Sequence, residues 1–135
     1  MYLLDTVVLS ELRRKERDPG VVDWVAAQRS TDLFLSVVTI GEVERGIMRQ
    51  QTKNAVFASA LAEWLDIVLK FYSDRILPVD TAVARRWGRL SAELGNDGAE
   101  LLISATAHEY GLTVVTRNVR HFEPTGVQVV NPFSV

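Results

Sequence analysis

Tyr2-Leu3-Leu4-Asp5, which follows the initial methionine, is an apolar run that ends at an acid. Residues 33–38 form a second run, Leu-Phe-Leu-Ser-Val-Val, in which Ser36 is the single polar residue. Runs without polar alternation are typical of strands that are buried on both faces. We therefore predict β-strands at both places. Three later apolar segments are further strand candidates: residues 76–79, 112–115 and 127–130.

Segments with helical periodicity lie between these predicted strands. Apolar residues recur at helical spacing in residues 53–71 and again in residues 81–94. Strands that alternate with helices favour an α/β fold, here a three-layer α/β/α sandwich with a mainly parallel central sheet of about five short strands. Ligands of such folds bind at the carboxyl ends of the strands. Residues 1–135 are expected to form a single domain, because the chain length and the apolar fraction of 47% suit one core.

The composition excludes several kinds of site. The chain has no cysteine and only two histidines, so a metal ion would have to be held mainly by oxygen. The net charge of −2 gives no global basic field, so positive charge for a nucleic acid must be local or come from metal ions. No stretch is apolar enough for a membrane span, and Asp5 interrupts the opening run too early for a signal peptide. We therefore expect a soluble, cytoplasmic protein.

Three acids stand where predicted strands or loops lead into helices. Asp5 ends the first strand, Glu42 follows the second, and Glu100 opens a late apolar helix. Each also has an ordinary structural explanation. Asp5 is placed to cap a helix, while the pairs Thr39 with Glu42 and Asp97 with Glu100 have capping-box spacing.

Capping does not explain why acids recur along one edge of the predicted sheet. Carboxylates gathered there repel one another unless a hard cation neutralises them, and oxygen-only ligation suits Mg²⁺ or Mn²⁺. Cations held in this way lower the pKa of a bound water and stabilise the leaving oxygen in phosphodiester hydrolysis. We therefore predict an acidic metal site made by Asp5, Glu42 and a third carboxylate near position 100.

Three motifs resemble those of PIN domains. Residues 2–6, Tyr-Leu-Leu-Asp-Thr, resemble the first motif, and residues 38–42, Val-Thr-Ile-Gly-Glu, resemble the second. The most specific is residues 100–107, Glu-Leu-Leu-Ile-Ser-Ala-Thr-Ala, followed by Gly-Leu-Thr-Val-Val-Thr-Arg-Asn at residues 111–118 and by His121. This run resembles the corresponding segment of the VapC and FitB-like bacterial toxins. Three motifs in this order, spread over nearly the whole chain, are far more specific than any one of them.

The resemblance implies a metal-dependent ribonuclease that acts as the toxin of a bacterial type II toxin–antitoxin pair. It implies RNA as the substrate, Mg²⁺ or Mn²⁺ as the cofactor, a cognate antitoxin as the partner, and a homodimer. The family pattern usually has Asp at the positions of Glu100 and His121. Glu100 is the preferred third carboxylate, because its longer side chain still offers oxygen ligands.

The resemblance also implies a set of supporting residues. Thr6 and Thr116 resemble the small hydroxyl residues beside the metal ligands. Independently of the resemblance, Arg117 stands next to the predicted site in the sequence, so we expect it to contact RNA. Further candidate metal ligands are Asn118, His121 and Asp97.

Two further groups of residues have more than one interpretation. Arg85 or Arg86 could contact RNA. The basic residues near the end of the first helix would either contact phosphate or complement the helix dipole; they are Arg13, Arg14, Lys15 and Arg17. Three large apolar side chains would either pack in the core or line a groove for an antitoxin helix; they are Trp24, Trp64 and Met48.

One rival function remains open at this point. A phospho-acceptor signalling domain needs a lysine late in the chain, and the lysines here are Lys15, Lys53 and Lys70. A PIN-like protein-binding module with an eroded metal site is the surviving alternative, since Glu100 and His121 replace the usual Asp residues.

Overall fold

A parallel β-sheet forms the centre of the molecule in a computed structural model that describes residues 1–134. Val135, the last residue of the predicted domain, lies outside the described residues. The five strands are β1 Tyr2–Leu4, β2 Leu33–Ser36, β3 Ile76–Leu77, β4 Thr113–Val115 and β5 Val129–Val130. They run parallel in the order β3-β2-β1-β4-β5. The predicted parallel sheet is confirmed.

Helices cover both faces of this sheet. Within residues 1–134 the α-helices are α1 Thr6–Glu11, α2 Pro19–Ala27, α3 Val37–Gln51, α4 Ala55–Phe71, α5 Thr81–Leu94, α6 Ala99–Tyr110 and α7 Val119–Phe122. Leu4 and Leu35 are buried on one face with residues of α1, α2 and α4, while Leu3 and Val114 are buried on the other with residues of α6 and α7. The three-layer α/β/α prediction is therefore confirmed. None of the helices described is both long and apolar enough to cross a membrane.

The strand order places a crevice beside β1. The chain builds β2 and β3 on one side of β1 and then crosses to build β4 and β5 on the other. Connections leave in opposite directions at such a switch point, which opens a crevice outside the carboxyl ends of the two central strands. Asp5 directly follows β1, and Thr116 directly follows β4. Both residues therefore lie at this crevice.

The start of α3 corrects two predictions. Val37 and Val38, predicted to end the second strand, form the first turn of α3. Ser36 ends the strand and caps the helix, because its Oγ accepts a hydrogen bond of 3.0 Å from the Val38 N–H. The capping box of Thr39 with Glu42 is therefore wrong. Thr39 is a buried residue inside the helix, and the polar Ser36 was the signal for its true start.

The start of α6 corrects a third prediction. The helix begins at Ala99, and Gly98 occupies the cap position without a side-chain hydrogen bond. Asp97 lies one residue too early to cap it and is exposed. The capping box of Asp97 with Glu100 is therefore wrong, and the Glu100 side chain is not used in that interaction. Asp5, in contrast, does cap α1 by accepting from the Thr6 N–H.

Candidate active site

A cavity of about 420 Å³ opens at the crevice beside β1. It is lined by the three predicted carboxylates together with other polar residues from four helices and the intervening loops. The lining residues are Asp5, Thr6, Val7, Ser10, Glu42, Ala99, Glu100, Ile103, Asn118, His121 and Phe122. The structure therefore brings together acids that are 95 residues apart in the sequence, from Asp5 to Glu100.

Asp5 is the most constrained of these acids. Asp5 is only 7% exposed, and both of its carboxylate oxygens accept hydrogen bonds. The Thr6 N–H donates to Oδ1 at 2.8 Å, and the Thr116 hydroxyl donates to Oδ2 at 2.7 Å. Thr116 is oriented in turn, because its Oγ accepts from the Asn118 N–H at 2.9 Å. These contacts hold the carboxylate at one place in the cavity.

The surroundings of Asp5 disfavour its charge. Burial raises the pKa of Asp5 above its ordinary value, and the negative charges of Glu42 and Glu100 raise it further, although the hydrogen bonds from Thr116 and Thr6 lower it in part. The three carboxylates therefore lie within electrostatic reach of one another. A cation in the cavity would relieve this repulsion.

Glu42 is held by a chain of hydroxyls. The Thr6 hydroxyl lies 2.6 Å from Glu42 Oε1 and 3.0 Å from the Thr39 Oγ. A carboxylate can only accept, so Thr6 donates its single proton to Glu42 and the Thr39 hydroxyl is left to donate to Thr6. Arg45 lies 3.7 Å from the other carboxylate oxygen. Sequence reasoning missed this role of Thr39; its position three residues before Glu42 on one helix was the available signal.

Glu100 is less constrained than the other two acids. It lies in the first turn of α6, and its carboxylate folds back over Gly98. A Cβ atom on Gly98 would lie 2.6 Å from both Glu100 carboxylate oxygens, so the absence of a side chain there permits this conformation. In these side-chain positions, the described residues 1–134 contain no group of three acids or histidines close enough to hold a metal ion.

The residues nevertheless fit an oxygen-liganded divalent cation. The cavity presents three carboxylates and no thiol, which is the donor set that Mg²⁺ and Mn²⁺ prefer. Asp5 and Glu42 are oriented by hydrogen bonds before any ion arrives. Ligation by all three acids requires a rearrangement of their side chains, because they do not form such a group in their present positions.

The other predicted ligands divide into two groups. Asn118 and His121 line the same cavity as the carboxylates, and both are exposed. Asp97 does not line it. Ser10, which the sequence did not single out, contributes a hydroxyl to the cavity wall from the second turn of α1.

The basic residues occupy different places. Arg117 is exposed and lies beside the cavity, with its guanidinium carbon 4.6 Å from the centre of the Phe133 ring. The four predicted basic residues near α1 follow the helix, which ends at Glu11, and none of them lies in its last turn. Arg14 pairs with Glu11, and Arg13 stacks over Phe57.

The remaining candidates are also separated. Arg86 pairs with Glu109 on the neighbouring helix α6, whereas Arg85 is exposed.

The three large apolar side chains do not form one surface. Trp24 packs edge-on against Tyr2 in the core, and Met48 is 59% exposed. Trp64 lines a smaller cavity of about 180 Å³ between α1, α3 and α4. A groove formed by all three residues is therefore wrong. Trp24 and Trp64 pack against the core, which is the alternative interpretation of these residues.

Comparison with known proteins identifies the fold and its family. The family model for the PIN domain matches residues 2–126. The chain is 34% identical over 140 residues to "VapC ribonuclease Y4jK" of Sinorhizobium fredii, with 98% of each chain covered. It is 33% identical over 139 residues to "Toxin FitB" of Neisseria gonorrhoeae, covering 98% of this chain and 99% of that protein. A crystal structure of FitAcB from Neisseria gonorrhoeae superposes with a TM-score of 0.88 at 33% identity, with all of both chains covered.

The sequence matches cover nearly the whole chain, and the superposed structure has the same fold. The class of protein defined by the parallel sheet and its acidic crevice is therefore the PIN domain. The chain belongs to the PIN-domain family, and the relatives that it matches end to end include VapC- and FitB-type proteins.

Proposed function

We propose that this chain is a metal-dependent endoribonuclease that cleaves RNA phosphodiester bonds through the carboxylate cavity. The observation that carries this proposal is the convergence of Asp5, Glu42 and Glu100 on one cavity at the switch point of the sheet. One full-length relative is named a ribonuclease, which supports the same activity. Phosphodiester hydrolysis needs no protein nucleophile when carboxylates hold a cation.

Asp5, Glu42 and Glu100 would hold Mg²⁺ or Mn²⁺, with Asn118 and His121 as neighbouring donors. A cation held there would lower the pKa of a water molecule and would stabilise the charge on the leaving oxygen. Thr116 and Thr6 keep the Asp5 carboxylate aimed into the cavity, and Thr6 also keeps Glu42 in place. Burial of Asp5 keeps water away from one side of the site and strengthens electrostatic interactions there.

The proposal extends to a role as the toxin of a toxin–antitoxin pair. It is supported by the end-to-end match to "Toxin FitB" and by the toxin-like motifs in residues 100–107 and 111–118. A cognate antitoxin would then inhibit cleavage. The proposal also includes a homodimer, for which exposed apolar residues of α4, Ile67 and Phe71, offer contact area.

A PIN-like binding module with an eroded metal site is the second candidate. One observation favours it: in their present positions, the acids and histidines of residues 1–134 form no group of three that could hold a metal ion. This candidate predicts that the chain binds a protein partner but does not cut RNA.

An RNA cleavage assay separates the two candidates. Antitoxin-free protein is incubated with total cellular RNA in EDTA and in a titration of Mg²⁺ or Mn²⁺. We expect cleavage with either cation, none in EDTA, and a loss of about 10³-fold in Asp5→Asn, equivalent to roughly 4 kcal/mol of transition-state stabilisation. Circular dichroism confirms that the variant is folded. Absence of cleavage by the wild type at every metal concentration would favour the binding module.

A further inference from the structure

A second cavity adjoins the carboxylate cavity at the same edge of the sheet. Its volume is about 310 Å³, and it is lined by Arg117, Asn118, Val119, Arg120, His121 and Asn131. Asn118 and His121 line both cavities, so the two adjoin at these residues. A chain molecule bound in one cavity therefore has the other beside it.

The second cavity has the opposite electrostatic character to the first. Arg117 and Arg120 are both exposed, and neither forms an ion pair with an acid within residues 1–134. Asn131 adds a neutral amide to the lining, and the lining contains no carboxylate. Guanidinium groups donate hydrogen bonds in a planar fork that matches the oxygens of a phosphate.

Arg117 is positioned without the help of an acid. Its guanidinium stacks on the ring of Phe133, which is buried. The adjoining Ser134 is tied to the start of α2, because its N–H and hydroxyl both donate to the Asp18 carboxylate, at 3.0 and 2.7 Å to Oδ1. Stacking occupies the face of the guanidinium and leaves its N–H edge free to donate. The cation is thus oriented in advance for an anionic ligand.

We propose that this basic cavity binds the phosphate backbone of the RNA strand next to the bond that is cut, and so sets the path of the strand across the active site. This inference rests on the proposed function. A cation in the carboxylate cavity would attract only the phosphate at the cut bond, and the net charge of −2 gives no general attraction, so a local cationic contact favours binding of the neighbouring part of the strand. The shared lining residues Asn118 and His121 favour RNA over an acidic protein segment, because a strand in the carboxylate cavity has to leave it across a neighbouring surface.

The test measures RNA binding separately from cleavage. Anisotropy of a fluorescein-labelled single-stranded RNA is recorded in EDTA for the wild type and for Arg117→Ala/Arg120→Ala over a range of salt concentrations. The matched control is Arg29→Ala/Arg49→Ala, which removes two exposed arginines. Arg29 precedes β2 and Arg49 lies in the last turn of α3, so both lie toward the amino ends of the strands, away from the cavity. Arg29 pairs only with Asp32 at the surface, a contact of little value.

We expect the affinity of the Arg117/Arg120 variant to fall about tenfold or more at low salt. The slope of log affinity against log salt should decrease by about 1.4, or roughly 0.7 for each phosphate that an arginine no longer neutralises. The control should keep the wild-type slope. Lysine at both positions should restore the slope but only part of the affinity, because lysine keeps the charge and lacks the fork.

The outcomes separate this inference from the proposed function. A variant whose RNA affinity and slope equal those of the control overturns the inference, whether or not the wild type cleaves RNA. The same result together with weaker binding of the cognate antitoxin assigns the cavity to a protein partner instead. Loss of RNA binding in a protein whose wild type does not cleave RNA supports the cavity as an RNA site and contradicts the nuclease.

Discussion

The two sides of the carboxylate cavity are built differently. On the β1 side, Asp5 and Glu42 accept hydrogen bonds from threonine hydroxyls, and Asp5 is almost fully buried. On the α6 side, Glu100 has no such partner among the described residues and folds over Gly98. One side of the site is thus preorganised and the other is adjustable. Preorganised ligands lose little entropy on binding, whereas an adjustable ligand has to be ordered by the cation.

The adjustable side suits a glutamate at position 100. Glutamate has one more methylene than aspartate, and this longer side chain places its carboxylate over Gly98. The same methylene has to be ordered when a cation binds. We therefore expect substitutions on the β1 side to have larger effects on the site than substitutions on the α6 side.

The largest effect in this comparison is expected from Thr116→Val. The change keeps the shape of the side chain but removes the hydroxyl that donates to Asp5 Oδ2. Loss of that hydrogen bond raises the pKa of Asp5 further and leaves its orientation less defined. RNA cleavage should fall about 10- to 100-fold, and the acidic limb of the pH–rate profile should move to higher pH. The pH–rate profile is the measurement that distinguishes this role from simple packing.

Thr113→Val is the control for this substitution. Thr113 lies at the opposite end of β4, where its hydroxyl makes only a long contact of 3.5 Å with Gln128. Its rate and pH profile should match the wild type. Equal losses in both variants would mean that the threonines matter for folding alone.

A smaller effect of opposite sign is expected from Gly98→Ala. The new Cβ would overlap the present position of the Glu100 carboxylate and displace it from the helix start. The displacement removes the conformation in which Glu100 lies over Gly98, so a larger fraction of the protein has Glu100 free to bind the cation. The affinity for Mn²⁺ should rise in proportion to that fraction, which we expect to be a few-fold.

Gly88→Ala provides the control for that change. Gly88 lies within α5, and a Cβ atom there would meet nothing within 4 Å. It should stabilise the helix by about 1 kcal/mol without altering Mn²⁺ affinity. If Gly98→Ala binds Mn²⁺ no better than Gly88→Ala, the folded-back position of Glu100 does not limit the site.

The smallest effect concerns folding stability without metal. Burial raises the pKa of Asp5, so the Asp5 carboxyl group binds a proton more tightly in the folded state than in the unfolded state. Protonated Asp5 therefore contributes favourably to the free energy of unfolding at low pH, and this contribution is lost as the pH rises through the folded-state pKa. Asp5→Asn should therefore melt at a higher temperature than the wild type at pH 7 in EDTA. The difference should vanish below the ordinary pKa of 3.8. Melting curves by circular dichroism across this pH range test the sign, and a wild type that is the more stable at pH 7 would contradict it.

The sequence predicted the sheet and the acids better than it predicted the local contacts. The apolar runs before Asp5 and Ser36 identify buried strands, because burial on both faces leaves a continuous hydrophobic signal. The same signal misassigned Val37 and Val38, since β-branched residues favour strands unless a cap directs them into a helix. The hydroxyl chain from Thr39 to Glu42 joins residues of α1 and α3. Such contacts depend on how helices pack and cannot be read from spacing alone.

The central claim is that Asp5, Glu42 and Glu100 form one divalent-cation site whose β1 side is preorganised. Calorimetric titration of the metal-free protein with Mn²⁺, without RNA, tests it most directly. We expect one saturable binding event in the wild type, affinity about tenfold weaker in Glu100→Gln, and no measurable binding in Asp5→Asn. Equal Mn²⁺ affinity in the wild type and in Asp5→Asn would contradict the claim.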